Sequence, residues 1–325
     1  MSTRWFIQLC WRTSFNQLIF WGFSESSNLD YCFFRFNFCK HKIGYSKFFS
    51  LTTFMDQYRV YGNPIKHSRS PFIHAAFAKQ SEQNIDYQAE LVPLDKFKET
   101  VDNFAKAGGK GANVTVPFKE QALEVCDQLS ERAKLAGAVN TLIFQQGRII
   151  GDNTDGLGLV QDLLNHDVNL TNSRILLLGA GGAAKGVILP LLEQHPQTIV
   201  VANRTVSKAQ ALVAQFNDSR LFACGFTETE NSQFDIIINA TSAGLTGDKL
   251  PIASSLITPT TVCYDMVYGK SDTVFLAEAK KLNAAKAIDG LGMLVGQAAE
   301  SFYLWRNVKP ETMAVLTQLR QALQE

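Results

Sequence analysis

Arg174-Ile-Leu-Leu-Leu178, then Gly179-Ala-Gly-Gly-Ala-Ala-Lys-Gly186, then the apolar stretch Val187 to Leu192 and Thr198-Ile-Val-Val-Ala202, decide how this chain folds. A short apolar run ending in glycines reads as a buried strand and a tight turn. The longer apolar segment reads as a helix, and the second run as a parallel strand. Together they spell a βαβ unit of the mononucleotide-binding kind. Gly179, Gly181 and Ala184 match G-x-G-x-x-A: a glycine for the turn, a glycine for close backbone approach to a pyrophosphate, and a small residue for helix–strand packing. A tight βα turn without a ligand has the same spelling, so the turn needs its context.

The end of the second strand supplies that context. An NAD site places Asp or Glu there, on the ribose hydroxyls. This chain has Asn203-Arg204-Thr205, with Lys208 one helical turn on. A guanidinium and an ammonium attract a 2′-phosphate and no carboxylate repels it, so NADP (NADPH) is the expected cofactor. The plainer alternative is a solvated basic turn. Asn239-Ala-Thr241-Ser242-Ala-Gly244 follows a further apolar strand and is a candidate wall of the same site, although turn chemistry accounts for it nearly as well.

At 325 residues the chain suits two domains with a cleft between them. Its 31 basic and 30 acidic residues leave no electrostatic footprint for nucleic acid or an anionic membrane. No stretch approaches the roughly 20 apolar residues that span a bilayer. The expected partner is a small molecule. Cys10, Cys32, Cys39, Cys126, Cys224 and Cys263 form no C-x-x-C pair, so no metal is expected, and scattered thiols suit a cytoplasmic protein. Residues 1–54 differ from the rest, holding 16 of 35 aromatics and three of four tryptophans without a sustained period. They lack the apolar core and cleavage site of a secretory signal, and so many aromatics suit a transit peptide poorly. The preferred reading is an extraneous segment upstream of a protein that begins at Met55; the other is a weakly ordered tail.

From Met55 the pattern alternates strand and helix. Tyr58 to Gly62 reads as a strand, and Ser70-Pro71 as an N-cap followed by proline, opening a helix to Gln80. Asp86 to Val92 with Leu94 to Ala107, and Ala112 to Val116 with Lys119 to Leu129, read as two more βα units, indicating a mainly parallel sheet. Ala138 to Phe144 and Arg148 to Gly151 read as a hairpin, and Asp155 to Leu164 as a helix crossing into the second unit. Leu291 to Trp305 and Pro310 to Leu323 read as helices returning to the first domain. Ser68, Ser70, Asn113, Thr115, Lys119, Asn140 and Asp155 fall at strand ends or helix starts, where ligands of open α/β sheets collect. Each has a plain reading too: Ser70 and Asp155 as caps, Lys119 as a solvated first-turn residue, Asn140 as a turn closer.

Taken in order, Gly62-Asn-Pro-Ile-Lys-His-Ser68-Arg-Ser70-Pro71, Gly111-Ala-Asn113-Val-Thr115-Val-Pro-Phe-Lys119, Gly137-Ala-Val-Asn140-Thr141 and Gly151-Asp-Asn-Thr-Asp155-Gly156 resemble the successive motifs of shikimate dehydrogenases. Gly179 to Gly186, Asn203-Arg-Thr205, Asn239-Ala-Thr-Ser242, Tyr264-Asp-Met266-Val-Tyr268 and Asp289-Gly-Leu-Gly-Met-Leu-Val-Gly-Gln297 continue the likeness. It covers Met55 to Glu325 and none of the first 54 residues.

The resemblance implies two α/β domains: residues 55–155 with 290–325 binding shikimate, and residues 156–289 forming a Rossmann-type NADP domain. It implies NADPH-dependent reduction of 3-dehydroshikimate to shikimate, in the chorismate pathway to aromatic amino acids. Ser68 and Ser70 are then expected at the substrate carboxylate, and Thr115, Asn140, Tyr268 and Gln297 at carboxylate or hydroxyls. Lys119 and Asp155 are expected at the reacting oxygen. Gly179, Ala180, Gly181, Gly182 and Ala183 are expected at the pyrophosphate, Asn203, Arg204, Thr205 and Lys208 at the 2′-phosphate, and Met266 and Gly290 beside the nicotinamide. Lys208 stands where the family commonly has arginine, which loses a planar, bidentate phosphate contact. Two other readings stay open: an NAD-using quinate/shikimate dehydrogenase, and a catalytically idle NADP-binding sensor. Sequence does not disclose the oligomeric state; a homodimer is held open.

Overall fold

In the computed structural model the described residues are Phe6–Leu9, Phe20–Phe23 and residues 55–324, without Asn231 and residues 244–247. The chain divides into two units, Met1–Thr52 and Thr53–Glu325. In the first, β1 (Phe6–Leu9) pairs antiparallel with β2 (Phe20–Phe23). The rest of the expectation for residues 1–54 falls outside the described residues.

The second unit contains two α/β domains, each built on a six-stranded sheet. The C-terminal sheet is parallel throughout, with β9 (Arg174–Leu178), β10 (Thr198–Ala202), β11 (Leu221–Cys224), β12 (Ile236–Asn239), β13 (Val262–Asp265) and β14 (Lys286–Asp289) in the order β11-β10-β9-β12-β13-β14. Its central strands β9, β10 and β12 are near-continuous Val/Ile/Leu runs because both faces are covered. Ile175 and Leu177 face one core, with α4 (Asp155–Asn165), α5 (Gly182–Leu192) and α6 (Val206–Phe216). Leu176 and Leu178 face the other, with α7 (Val274–Lys281). The chain enters at β9, moves outward through β10 and β11, and returns to β12 on the other side of β9. That reversal leaves a crevice at the carboxyl ends of β9 and β12.

The first sheet holds β3 (Asp56–Gly62), β4 (Ile85–Leu91), β5 (Gly111–Val114), β6 (Gln128–Leu129), β7 (Thr141–Gln145) and β8 (Arg148–Asp152) in the order β4-β3-β5-β7-β8-β6. β3 pairs parallel with β4 and β5, and β6 with β8, while β7 is antiparallel to both its neighbours. The β7–β8 hairpin turns through Gln146 and Gly147, both at positive φ, which matches the twist of the flanking strands.

Two local expectations are corrected. Lys119 to Leu129 is not an α-helix but a 3-10 turn, Gln121–Val125, followed by β6. Asp127 exchanges hydrogen bonds with Ile149, its N–H donating to the Ile149 carbonyl and its carboxylate accepting from the Ile149 N–H (2.8 and 2.7 Å), and this draws the chain out along β8. Ser70 is the first residue of α1 (Ser70–Gln80), with Arg69 in the cap position and no side chain capping the helix. After α2 (Phe97–Lys106), a further short helix, α3 (Glu131–Ala136), starts where the Ser130 hydroxyl accepts from Ala133 N–H and ends at left-handed Gly137.

The last helices, α8 (Leu291–Arg306) and α9 (Met313–Gln324), return to the first domain. There Leu291, Val295, Ala298, Phe302, Val315 and Leu319 pack with Ile73 and Phe77 of α1. α8 also crosses α4 backbone to backbone: a Cβ on Gly158 would sit 2.6 Å from Gln297 N and from Met293 O.

Candidate active site

Strand ends of the first sheet converge on a cavity of about 350 Å³ in the cleft that faces the second domain. Its lining brings together all eight residues expected at the substrate, Ser68, Ser70, Thr115, Lys119, Asn140, Asp155, Tyr268 and Gln297, together with Met266 and Gly290. Lys119 follows the β5 loop and Asp155 opens α4. Lys119 Nζ donates to Asp155 Oδ2 at 2.6 Å, and Asn140 Nδ2 donates to Asp155 Oδ1 at 2.8 Å. The carboxylate is thus held at both oxygens, and Lys119 and Asp155 both line the cavity.

The plain readings of these residues do not describe what they do. Thr154, not Asp155, holds the cap position of α4, and the Asp155 carboxylate faces Lys119 and Asn140. The Lys119 side chain is 29% exposed and ion-paired, which is not a solvated first-turn lysine. Asn140 is buried. Burial pushes the Tyr268 hydroxyl above its ordinary value, while the charge of Arg69 draws it down, so Tyr268 stays a neutral O–H at the cavity wall. Arg69 itself is exposed at the cavity wall beside Ser68 and Ser70. It stands inside the motif that suggested those serines and was not singled out. Thr141, Thr154 and Ser301 were also missed, and they bond to the residues that line the cavity from behind.

Across the cleft the glycine turn lies at the sheet's reversal. Gly179 has φ +108°, and a Cβ there would press on Ala240 and Thr241 of the loop after β12. Side chains at Gly181 and Gly182 would meet nothing within 4 Å, so a ligand can approach the backbone there. Gly181 caps α5 with no side-chain partner, leaving the first-turn amides of Gly182 and Ala183 to face an anion. Asn203 Nδ2 donates to Thr205 O at 2.9 Å and shapes the turn after β10. Arg204, Thr205 and Lys208 are exposed beside it, and neither cation has an ion pair among the described residues. This set fits a dinucleotide carrying an extra phosphate. Asn239 accepts from Thr241 N–H and O–H, closing the neighbouring loop; Gly244 of the expected wall lies outside the described residues.

A glycine turn at the switch point of a parallel sheet, facing a polar cavity with a lysine–carboxylate pair, defines a dinucleotide-dependent dehydrogenase of a small polar substrate. Residues 60–142 match the shikimate dehydrogenase substrate binding domain, residues 159–246 the shikimate / quinate 5-dehydrogenase family, and residues 290–320 the shikimate 5'-dehydrogenase C-terminal domain. The chain is 61% identical over 268 residues to a shikimate dehydrogenase (NADP(+)) of Colwellia psychrerythraea, covering 82% of this chain and 98% of that protein. To the protein of the same name in Photobacterium profundum it is 57% identical, covering 83% and 100%. Among solved structures, an Ael1 enzyme from Pseudomonas putida superposes with TM-score 0.79 at 46% identity, covering 81% of this chain and 98% of that one. The Thermus thermophilus shikimate 5-dehydrogenase in complex with NADP(H) and shikimate superposes with TM-score 0.74 at 33% identity, covering 83% and 100%. This chain belongs to the shikimate dehydrogenase family.

Proposed function

We propose that the cavity around Lys119 is the site at which this enzyme, an NADP-dependent shikimate dehydrogenase, interconverts 3-dehydroshikimate and shikimate for aromatic biosynthesis. The observation that carries the reading is the Lys119–Asp155 contact of 2.6 Å at the wall of a cavity that also receives Ser68, Ser70, Thr115, Asn140, Tyr268 and Gln297. Residues 55–155 and 290–325 are assigned to the substrate, and residues 156–289 to the cofactor.

Ser68 and Ser70 hold the substrate carboxylate with hydroxyl donors, and the Arg69 charge nearby favours the anion. Thr115, Asn140, Tyr268 and Gln297 meet the remaining carboxylate and hydroxyl atoms. When bound, the cofactor supplies a hydride to the ketone carbon. Negative charge then builds on the ketone oxygen, and the Lys119 ammonium stabilises it and donates a proton to it. In the reverse direction Lys119, as the amine, takes the proton back. Asp155 orients Lys119 and accepts a hydrogen bond from a neighbouring substrate hydroxyl.

Gly179, Ala180, Gly181, Gly182 and Ala183 would hold the pyrophosphate, and Asn203, Arg204, Thr205 and Lys208 the 2′-phosphate. Met266 and Gly290 would flank the nicotinamide; a Cβ on Gly290 would run into the Met266 carbonyl oxygen, so these two positions already touch at the cavity wall. The reading extends to a homodimer, tested by the mass in solution. It places the enzyme in the cytoplasm, where the unpaired thiols of Cys126, Cys224 and Cys263 stay reduced. A spectrophotometric assay of NADP reduction with shikimate tests the activity. Turnover with NADP and shikimate is the expected result; its absence, or equal specificity for NAD, overturns the reading.

A further inference from the structure

Behind the cavity runs a set of buried hydrogen bonds that these roles leave unexplained. The Tyr87 hydroxyl donates to Asn113 Oδ1 at 2.7 Å, and Asn113 Nδ2 donates to Ser301 Oγ at 3.0 Å. Ser301 Oγ lies 2.8 Å from Thr141 Oγ1, and Thr141 Oγ1 donates to Asn140 Oδ1 at 2.8 Å. Asn140 Nδ2 then donates to Asp155 Oδ1. These residues come from β4, β5, α8 and β7 and the starts of β7 and α4, and the first five are each less than a tenth exposed.

The hydrogens can be assigned along this path. Thr141 has one hydroxyl hydrogen, and the Asn140 oxygen can only accept it. With that hydrogen on Asn140, the 2.8 Å contact between Thr141 and Ser301 carries the Ser301 hydrogen, which Ser301 shares with the Gln297 carbonyl at 3.0 Å, and Ser301 in turn accepts from the Asn113 amide. Every link then points the same way, from Tyr87 towards the Asp155 carboxylate, an arrangement in which each bond polarises the next. The Asn140 amide cannot be turned over. Its oxygen also accepts from Thr154 N–H at 2.9 Å, and reversal would set NH₂ against that donor and an oxygen against a carboxylate.

We infer that Thr141 and Ser301 are positioning residues of the reaction. They fix the Asn140 amide so that it holds Asp155 Oδ1, leaving Oδ2 for Lys119. The inference rests on the function proposed above, since it gives these hydroxyls a task only if Lys119 and Asp155 do the chemistry. Neither hydroxyl lines the cavity, so neither touches substrate.

The test is Thr141→Val, which removes the hydroxyl at nearly constant shape, assayed with shikimate and NADP beside the wild type, Thr141→Ser, Asn140→Ala and the double variant Thr141→Val/Asn140→Ala. Expected are a roughly three- to tenfold lower kcat for Thr141→Val, the scale of one lost hydrogen bond, an unchanged KM for NADP, and recovery in Thr141→Ser. In the Asn140→Ala background Thr141→Val should cost nothing further, because its target is gone. A Thr141→Val enzyme with wild-type kcat, or one whose loss multiplies with that of Asn140→Ala, overturns the inference. So does a loss that serine fails to restore. If Thr141→Val does not fold, Ser301→Ala carries the same comparison with the same expected and opposing results. A wild type that leaves NADP unreduced would instead sink the proposed function itself.

Discussion

Around Asp155 the polar groups are bonded to one another before any ligand arrives. Around Gly181 and Arg204, across the cleft, the backbone is bare and Arg204 and Lys208 have no ion pair among the described residues. The first region is shaped by folding, with side chains from distant elements locked into one geometry. In the second, Arg204 and Lys208 are exposed to water, and under the proposed function a phosphate orders them. Changes on the substrate side should therefore appear in kcat and in stability. Changes on the cofactor side should appear in cofactor affinity alone.

The largest expected effect is at Lys119. Lys119→Ala should lower kcat by about 100-fold or more while shikimate binding weakens far less, because a positioned proton donor acts mainly in the transition state. Asp155→Asn should also slow turnover, with the larger effect on shikimate KM. Steady-state kinetics in the oxidative direction separate the two. Near-normal kcat in Lys119→Ala would erase the contrast between the regions.

Next comes a stability effect confined to the substrate side. His74 is fully buried, stacked on Tyr87 with ring centroids 4.1 Å apart, and burial lowers its pKa to about 3. The unfolded chain takes up a proton near the ordinary 6.5 and the folded one does not, so this stability is intact above pH 6.5. It is lost progressively as pH falls towards 3. Between pH 7.5 and pH 5 the loss attributable to His74 should be about 2 kcal/mol. Urea midpoints at the two pH values, for the wild type and His74→Phe, measure it. Equal acid sensitivity in both proteins would remove His74 as its source.

Smaller again is the effect at Arg204. NADP should be preferred to NAD by at least about tenfold in kcat/KM, about 1.4 kcal/mol. Arg204→Ala should narrow that gap by raising KM for NADP, with NAD kinetics and urea midpoint unchanged. A drop in kcat with NAD would mean that the cofactor turn is coupled to the chemistry after all. The smallest expected change is none: a chain starting at Met55 contains both regions and should match the full-length kcat.

What could be read from the sequence follows from how local each signal is. The parallel sheet was legible because β9, β10 and β12 are uninterrupted apolar runs, and the glycine turn because Gly179 to Ala184 is contiguous. Ser68, Lys119, Asn140 and Asp155 were legible because they sit at strand ends inside recognisable motifs. Ser301 was not. It is a lone serine inside a helix, and its partner Asn113 lies 188 positions away. Likewise β6 exists because Asp127 bonds to Ile149, a tertiary pull that no propensity around Lys119 to Leu129 announces. Ser70 misled as a cap because Ser-Pro is a common way to begin a helix, whereas here the helix takes in the serine itself.

The crossing of α4 and α8 carries a consequence for inheritance. At Gly158 and Gly296 the two helix backbones touch with no side chain between them, and the next residue along α8 is Gln297 of the cavity. The same helix begins at Leu291, directly after Gly290 at the Met266 junction. A single methyl at position 158 would therefore lever α8 away from α4 and displace both ends of the cleft at once, although no ligand reaches that position. In a screen for growth without added shikimate or aromatic amino acids such a variant would be scored with the active-site mutants. An enzyme drifting towards another substrate can exchange the residues that face its cavity one at a time, but it has to keep this close crossing of two glycines whatever it comes to bind.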